Sequence, residues 1–355
     1  MEKNSQKLIN LANKRYSDIL TDGFKLFFKT YGTLIIPLAL FQIALIILNV
    51  FLLTDLTWSI DSLGISVDEI LDKFIENVSL TESELNALAS FLFMTIGLLF
   101  LQNLIGAIVI TIAMCSVSIY VFKRYMGEEI SFMSSLKSSF NKRIFIVVLI
   151  LGILLPLAFL LFIPAIIIFG FFIFSVFTYN MADTEKPIAE ARAIAKGSFW
   201  KIIGVFLINI IIILIVSFFY NSLMTIIFNT NSTSFMIKYS IWSSPSGRNY
   251  GMLILYQLIN STIDIIFAPL FICLLTSLYA SLKARRVLKT KYQQEYYPRR
   301  ETYQEAFNVI EDKESSAISE IKLERGFYCP YCGVLIKSPK RFCPKCGENL
   351  SFIQE

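Results

Sequence analysis

The sequence contains no histidine, and only 17% of its 355 residues are charged. Ordinary soluble domains carry about a quarter charged residues. Without histidine there is no Ser-His triad, no imidazole proton shuttle and no His-ligated metal. The scarcity of charge, with 55% hydrophobic residues and a mean hydropathy of +0.63, argues against a water-soluble globule. What charge there is lies in blocks, separated by uncharged tracts of membrane-spanning length.

Those tracts are Thr33–Thr54, Leu85–Phe122, Ile144–Ala182, Ile202–Ile237 and Asn249–Leu282, the last broken only by Asp264. A helix crosses the hydrocarbon core in about 20 residues. The Ile144–Ala182 tract would run to roughly 58 Å as one helix at about 1.5 Å per residue. Pro156 and Pro164 near its middle predict a hairpin of two helices instead. Leu85–Phe122 has no proline and reads as one long helix, opened by the capping box Thr81-Glu-Ser-Glu84. The predicted fold class is an all-α integral membrane protein with about six transmembrane helices, amphipathic interfacial helices and a small C-terminal zinc ribbon. Residues 1–291 form the polytopic domain, with spans near 33–54, 87–122, 144–162, 164–182, 202–228 and 251–282. Residues 292–325 form a charged tether and residues 326–355 the ribbon.

Charge placement sets the direction. With the N-terminus inside, the outer segments hold only Lys73, Lys238 and Arg248 of the 32 Lys and Arg residues. The first outer loop carries Asp55, Asp61, Asp68, Glu69, Asp72, Glu76, Glu82 and Glu84 against one lysine. This positive-inside pattern places both termini in the cytoplasm and the chain in the cell membrane. Within that loop, Val67, Ile70, Leu71, Phe74, Ile75 and Val78 recur at helical spacing and predict a surface helix.

The N-terminal stretch spaces Leu8, Leu11, Tyr16, Ile19, Phe24, Phe27 and Tyr31 at helical intervals among lysines, which suits a helix on the inner bilayer surface. A hydroxyl residue, an aromatic and then a span recur at Thr30-Tyr31, Ser139-Phe140 and Ser198-Phe199. Threefold reuse of one unit and independent selection of interfacial aromatics both account for this.

These junctions carry a resemblance. Residues 16–32, Phe162-Ile-Pro-Ala-Ile-Ile-Ile168, residues 187–200 and Leu278-Tyr-Ala-Ser-Leu-Lys-Ala-Arg285 are similar to the membrane domain fused to some glycerophosphodiester phosphodiesterases, and to its stand-alone relatives. The resemblance spans roughly residues 15–290 and implies a six-helix membrane bundle. It transfers no catalytic residue, because no tract supplies the soluble barrel with its acids and histidines.

The sharpest local motif is Cys329-Pro-Tyr-Cys332-Gly333, followed after ten residues by Cys343-Pro-Lys-Cys346-Gly347. Two Cys-x-x-Cys knuckles close a tetrahedral four-thiolate shell around Zn²⁺, which leaves no position for water and so predicts a structural metal. Disulfides would need an oxidising compartment, and a redox dithiol would not need a second copy in step. Gly333 and Gly347 permit the positive φ that such knuckles demand. The stretch closely resembles the short zinc ribbon of many bacterial and archaeal proteins. Lys337, Lys340, Arg341 and Lys345 make it mildly basic, but without a stacking platform they favour a protein-docking or solvated face over nucleic acid. The tether predicts a ribbon that swings away from the bilayer.

Inside the spans, Asp264 is the one ionisable residue at depth, and Gln257, Asn260, Ser261 and Asp264 share one helical face. Asn209 and Gln102-Asn103 are candidates to meet them. Interhelical hydrogen bonding and a polar pathway both fit this face. The first expected function is a membrane platform whose cytoplasmic ribbon binds or regulates a protein partner. The second is a transporter or a lipid- or solute-binding protein with a polar pathway near Asp264. An enzyme ranks behind both, since the spans hold no histidine and no clustered carboxylates.

Overall fold

The computed structural model describes residues 2–63, 81–159, 161–180, 186–228, 233–296, 327–329, 335–336, 342–343 and 347–348. The helices are α1 Glu2–Ala12, α2 Tyr16–Ser62, α3 Glu82–Tyr125, α4 Phe132–Ser139, α5 Ile144–Phe159, α6 Ile163–Thr178, α7 Pro187–Ala195, α8 Phe199–Phe228, α9 Thr233–Ser243, α10 Tyr250–Asn260 and α11 Thr262–Tyr296. Strands β1 Phe327–Tyr328 and β2 Leu335–Ile336 pair antiparallel, with Phe327 opposite Ile336. The predicted surface helix over Val67–Val78 and most of the tether lie outside the described residues.

Four helices, α2, α3, α8 and α11, are long and apolar enough to cross a membrane, and a fifth is added if the bent pair α4 and α5 is one span. Their apolar side chains stay uncovered by protein: Phe218 is 68% exposed and Ile226 79%. Contiguous apolar surface on this scale is untenable in water and ordinary in lipid. The chain is an α-helical, multi-pass membrane protein.

Several elements depart from the sequence expectation. The N-terminal interfacial stretch and the first span are one continuous helix, because Gly23 and Gly32 weaken a helix without ending it and Pro37 lies inside the helix. Only α1 is separate. α3 forms as expected, with Glu84 Oε2 accepting from the Thr81 amide at 2.9 Å and Thr81 Oγ1 accepting from the Glu84 amide. Lys123 and Arg124 occupy its last turn, where the helix dipole favours cations.

The hairpin also forms, and Phe162 turns it at a φ of 51° with Pro164 starting α6. Each arm is about 24 Å long at about 1.5 Å per residue, shorter than the roughly 30 Å hydrocarbon core. In α5 the stretch Val148–Leu154 is π-helical. The predicted last span is broken: α10 ends at Asn260, Ser261 sits at φ −90° and ψ 7°, and α11 begins at Thr262. Hydrogen bonding continues across the break through Ser261 N–H to Gln257 O and Ile265 N–H to Ser261 O. The Tyr220 hydroxyl donates to the Ile259 carbonyl at 2.8 Å, satisfying a group in the last turn of α10.

The chain divides into two compact units, Asp22–Thr276 and Met1–Thr21 with Ser277–Glu355. In the first, Tyr179 is fully buried and anchors the packing. Its hydroxyl lies 3.0 Å from both the Cys115 and the Ser139 carbonyl oxygens. Asn180 adds a bond from Nδ2 to Ser138 O and accepts from Asn141 Nδ2. Gly170 admits the Phe199 ring, for a Cβ there would stand 2.2 Å from Phe199 Cε2. The three junctions are therefore not equivalent. Breaks precede α5 and α8, while Thr30-Tyr31 lies within α2.

In the second unit, Arg285 is the organiser. Its Nε donates to Ala12 O at 2.7 Å and its Nη2 to Lys14 O at 2.9 Å, so a cation covers the C-terminal carbonyls of α1. Its Nη1 pairs with Glu348. Ser277 Oγ donates to Ile19 O at 2.9 Å. Glu348 thus contacts α11.

Candidate functional site

Within the Asp22–Thr276 unit, all four long apolar helices contribute to one cavity of about 410 Å³. Pockets for small molecules fall in the same size range, about 300–1,000 Å³. α2 supplies Gln42 and Asn49, α8 supplies Asn209, α10 supplies Gln257, and the break and the first turn of α11 supply Ser261 and Asp264. α3 adds apolar wall from Val109 to Met114, and Phe41, Phe206, Phe267 and Phe271 add aromatic surface. Phe206 and Phe271 pack edge to face at 6.0 Å.

The electrostatics are one-sided. Asp264 is the only ionisable residue lining the cavity, and its side chain is left exposed by its neighbours. Among the described residues no Lys or Arg lines the cavity and no ion pair or hydrogen bond engages the Asp264 carboxylate. Asp264 stands in the first turn of α11. Asn49 Oδ1 and Asn209 Oδ1 are buried without a hydrogen-bond partner, and Asn209 is only 8% exposed.

The sequence-predicted face is partly assembled. Asp264, Gln257 and Ser261 meet Asn209 as expected. Asn260 does not join them. It is exposed and lines a different pocket with Asn221, Thr225 and Tyr256. On an ideal helix Asn260 already stands at the edge of that face, and the break at Ser261 ends the helix there. Gln102 reaches a smaller recess that Gln257 also lines, together with Thr54, Thr57 and Tyr239. Asn103 bonds back to Leu99 O on its own helix. Gln42 and Asn49 were missed by sequence reasoning. Their signal was available: they are the only two amides in Thr33–Thr54 and stand seven residues apart, on one helical face.

The predicted metal set is described in part. Cys329 follows β1 directly, and Cys343 belongs to the second Cys-x-x-Cys pair of the sequence. Each is 2% exposed. Cys343 N–H donates to Glu348 O at 2.9 Å and Gly347 N–H to Cys343 O at 2.8 Å, with Gly347 at φ 72°. A positive φ of this kind is one that glycine permits. Cys332, Cys346 and Gly333 lie outside the described residues, and among the described residues no three ligating side chains converge. Cys115 and Cys273 are fully buried, and Cys273 Sγ lies 3.7 Å from Thr30 Oγ1.

Searches against family models, curated proteins and solved structures return no match.

Proposed function

We propose that the chain is a membrane protein that binds, and by binding moves or senses, a small ligand in the cavity at Asp264. The convergence of all four long apolar helices on about 410 Å³ of space, with five polar uncharged side chains and one carboxylate at its wall, carries this reading. A purely structural polar cluster satisfies its own hydrogen bonds. Here two buried amide oxygens and an exposed carboxylate are left over.

In the same reading both termini face the cytoplasm. The α5–α6 hairpin, read as returning the chain to the side it left, keeps the ends on one side. Cys329, Cys332, Cys343 and Cys346 would hold Zn²⁺ as a structural metal. The Arg285 contact with Glu348 favours a ribbon that braces the ends of α11 and α1 over one free to recruit a partner.

Native mass spectrometry of the full chain released from detergent tests the cavity. Wild type is expected to carry a small bound species that is lost in Ala268→Phe, where a ring fills the space. A bare wild type, or identical adducts on both proteins, would overturn the reading.

A further inference from the structure

The lining of the cavity also restricts what it takes. We infer that the ligand is a small organic monocation bearing at least one N–H donor beside an apolar or aromatic body. This rests on the cavity being a ligand site and names the class of ligand.

The argument runs by complementarity. The wall carries one acidic side chain, Asp264, and no basic one. A carboxylate at bilayer depth is costly unless it is paired, and residues of this kind usually find a partner of opposite charge. Since the wall supplies none, the ligand does. An anion would place like charges in a weakly screening medium, where their repulsion is far stronger than in water. A neutral ligand leaves Asp264 to rest as the neutral acid and forgoes the pairing, whereas a cation takes it as the carboxylate.

Size and surface then separate organic from inorganic cations. About 410 Å³ is far more than a bare metal ion fills. Hard cations gather six or more oxygens at short range, whereas here most of the wall is Phe, Leu, Ile, Val, Ala and Met. Phe41, Phe206, Phe267 and Phe271 line the cavity, and the negative potential of an aromatic face attracts an ammonium group.

The amides supply the requirement for a donor. Asn49 Oδ1 and Asn209 Oδ1 are acceptors with no bond to lose. A turn about the soft terminal torsion of either side chain brings an oxygen round to an N–H. A protonated amine offers those donors and the charge together. A quaternary ammonium offers only the charge.

The test uses the full-length protein in lipid nanodiscs and four probes of one shape: phenethylammonium, its N-trimethyl analogue, phenethyl alcohol and phenylacetate. Phenethylammonium is expected to bind at least tenfold more tightly than the alcohol or the acid, and several-fold more tightly than the quaternary analogue. Asp264→Asn should remove at least tenfold of that affinity. Asn209→Leu should close the gap between the primary and quaternary probes. The wild-type series stands alone if either variant fails to fold. Equal binding of the neutral probe, or preference for the acid, overturns the cation inference while leaving the cavity reading intact. If none of the four binds and Ala268→Phe changes no adduct, the cavity reading falls and this inference with it.

Discussion

Tyr179 offers a prediction whose size follows from counting hydrogen bonds. Its hydroxyl has one proton and stands 3.0 Å from two carbonyl oxygens, those of Cys115 and Ser139. Each carbonyl has another donor: Ser118 Oγ reaches Cys115 O at 3.0 Å, and the Asn141 amide reaches Ser139 O at 3.0 Å. Tyr179→Phe therefore removes a bond without orphaning an acceptor, and the expected loss is about 1 kcal/mol. Tyr179→Ala also deletes a fully buried ring, and truncations of that kind cost about 3–5 kcal/mol. Reversible unfolding in mixed micelles, titrated with a denaturing detergent, resolves the two. A Tyr179→Phe loss as large as that of Tyr179→Ala would refute the reasoning, for it would mean the carbonyls depend on the hydroxyl alone. So would a Tyr179→Ala protein as stable as wild type.

Four further outcomes are expected. Thr81→Ala removes the capping box of α3 and should cost about 1 kcal/mol, seen as faster amide exchange in the Glu82–Leu85 turn, with Thr81→Ser close to wild type. Gly170→Ala forces a Cβ against Phe199 and should destabilise by about 1–3 kcal/mol, and Phe199→Leu in the same chain should recover part of that in the micelle titration. Arg285→Ala should expose the N-terminal helix and the ribbon to protease, while Arg285→Lys rescues only partly because an ammonium lacks the fork that reaches Ala12, Lys14 and Glu348 together. Chelator treatment should release one zinc per chain and open residues 326–355 to proteolysis with the helical part intact, since metal binding and folding are coupled in so small a module.

How much was legible follows from what each feature depends on. The long helices depend on runs of uncharged residues, a property of consecutive positions, and the sequence displays it directly. The capping box at Thr81 and the hairpin at Pro164 are equally local and formed as expected. The continuity of α2 was misread because aromatic and lysine spacing resembles a separate surface helix, yet nothing in residues 16–36 stops a helix once it has started. Tyr179 gave no signal, since its importance lies in carbonyls distant in the chain, on α3 and α4. The cavity was half visible. Asp264, Gln257 and Ser261 share a face of one segment and could be grouped by spacing, whereas Gln42 and Asn49 joined them only through helix packing.

The contacts between loops bear on the topology in a way that the helix count does not. Charge alone assigns Asp55 and Arg248 to one side of the membrane and Asp22 and Tyr125 to the other. In the structure Arg248 pairs with Asp55 at 2.5 Å, and the Tyr125 hydroxyl donates to Asp22 at 3.1 Å. Each contact joins residues that the charge pattern had grouped, and neither joins residues that it had separated. The grouping holds whether the α5–α6 hairpin crosses or only dips, because a hairpin returns the chain to the side it left. With four crossings, α2 and α3 forming one out-and-back pair and α8 and α11 another, parity would return the chain end to the side it started from, as the charge pattern expects. Only the identity of that side rests on the excess of lysine and arginine.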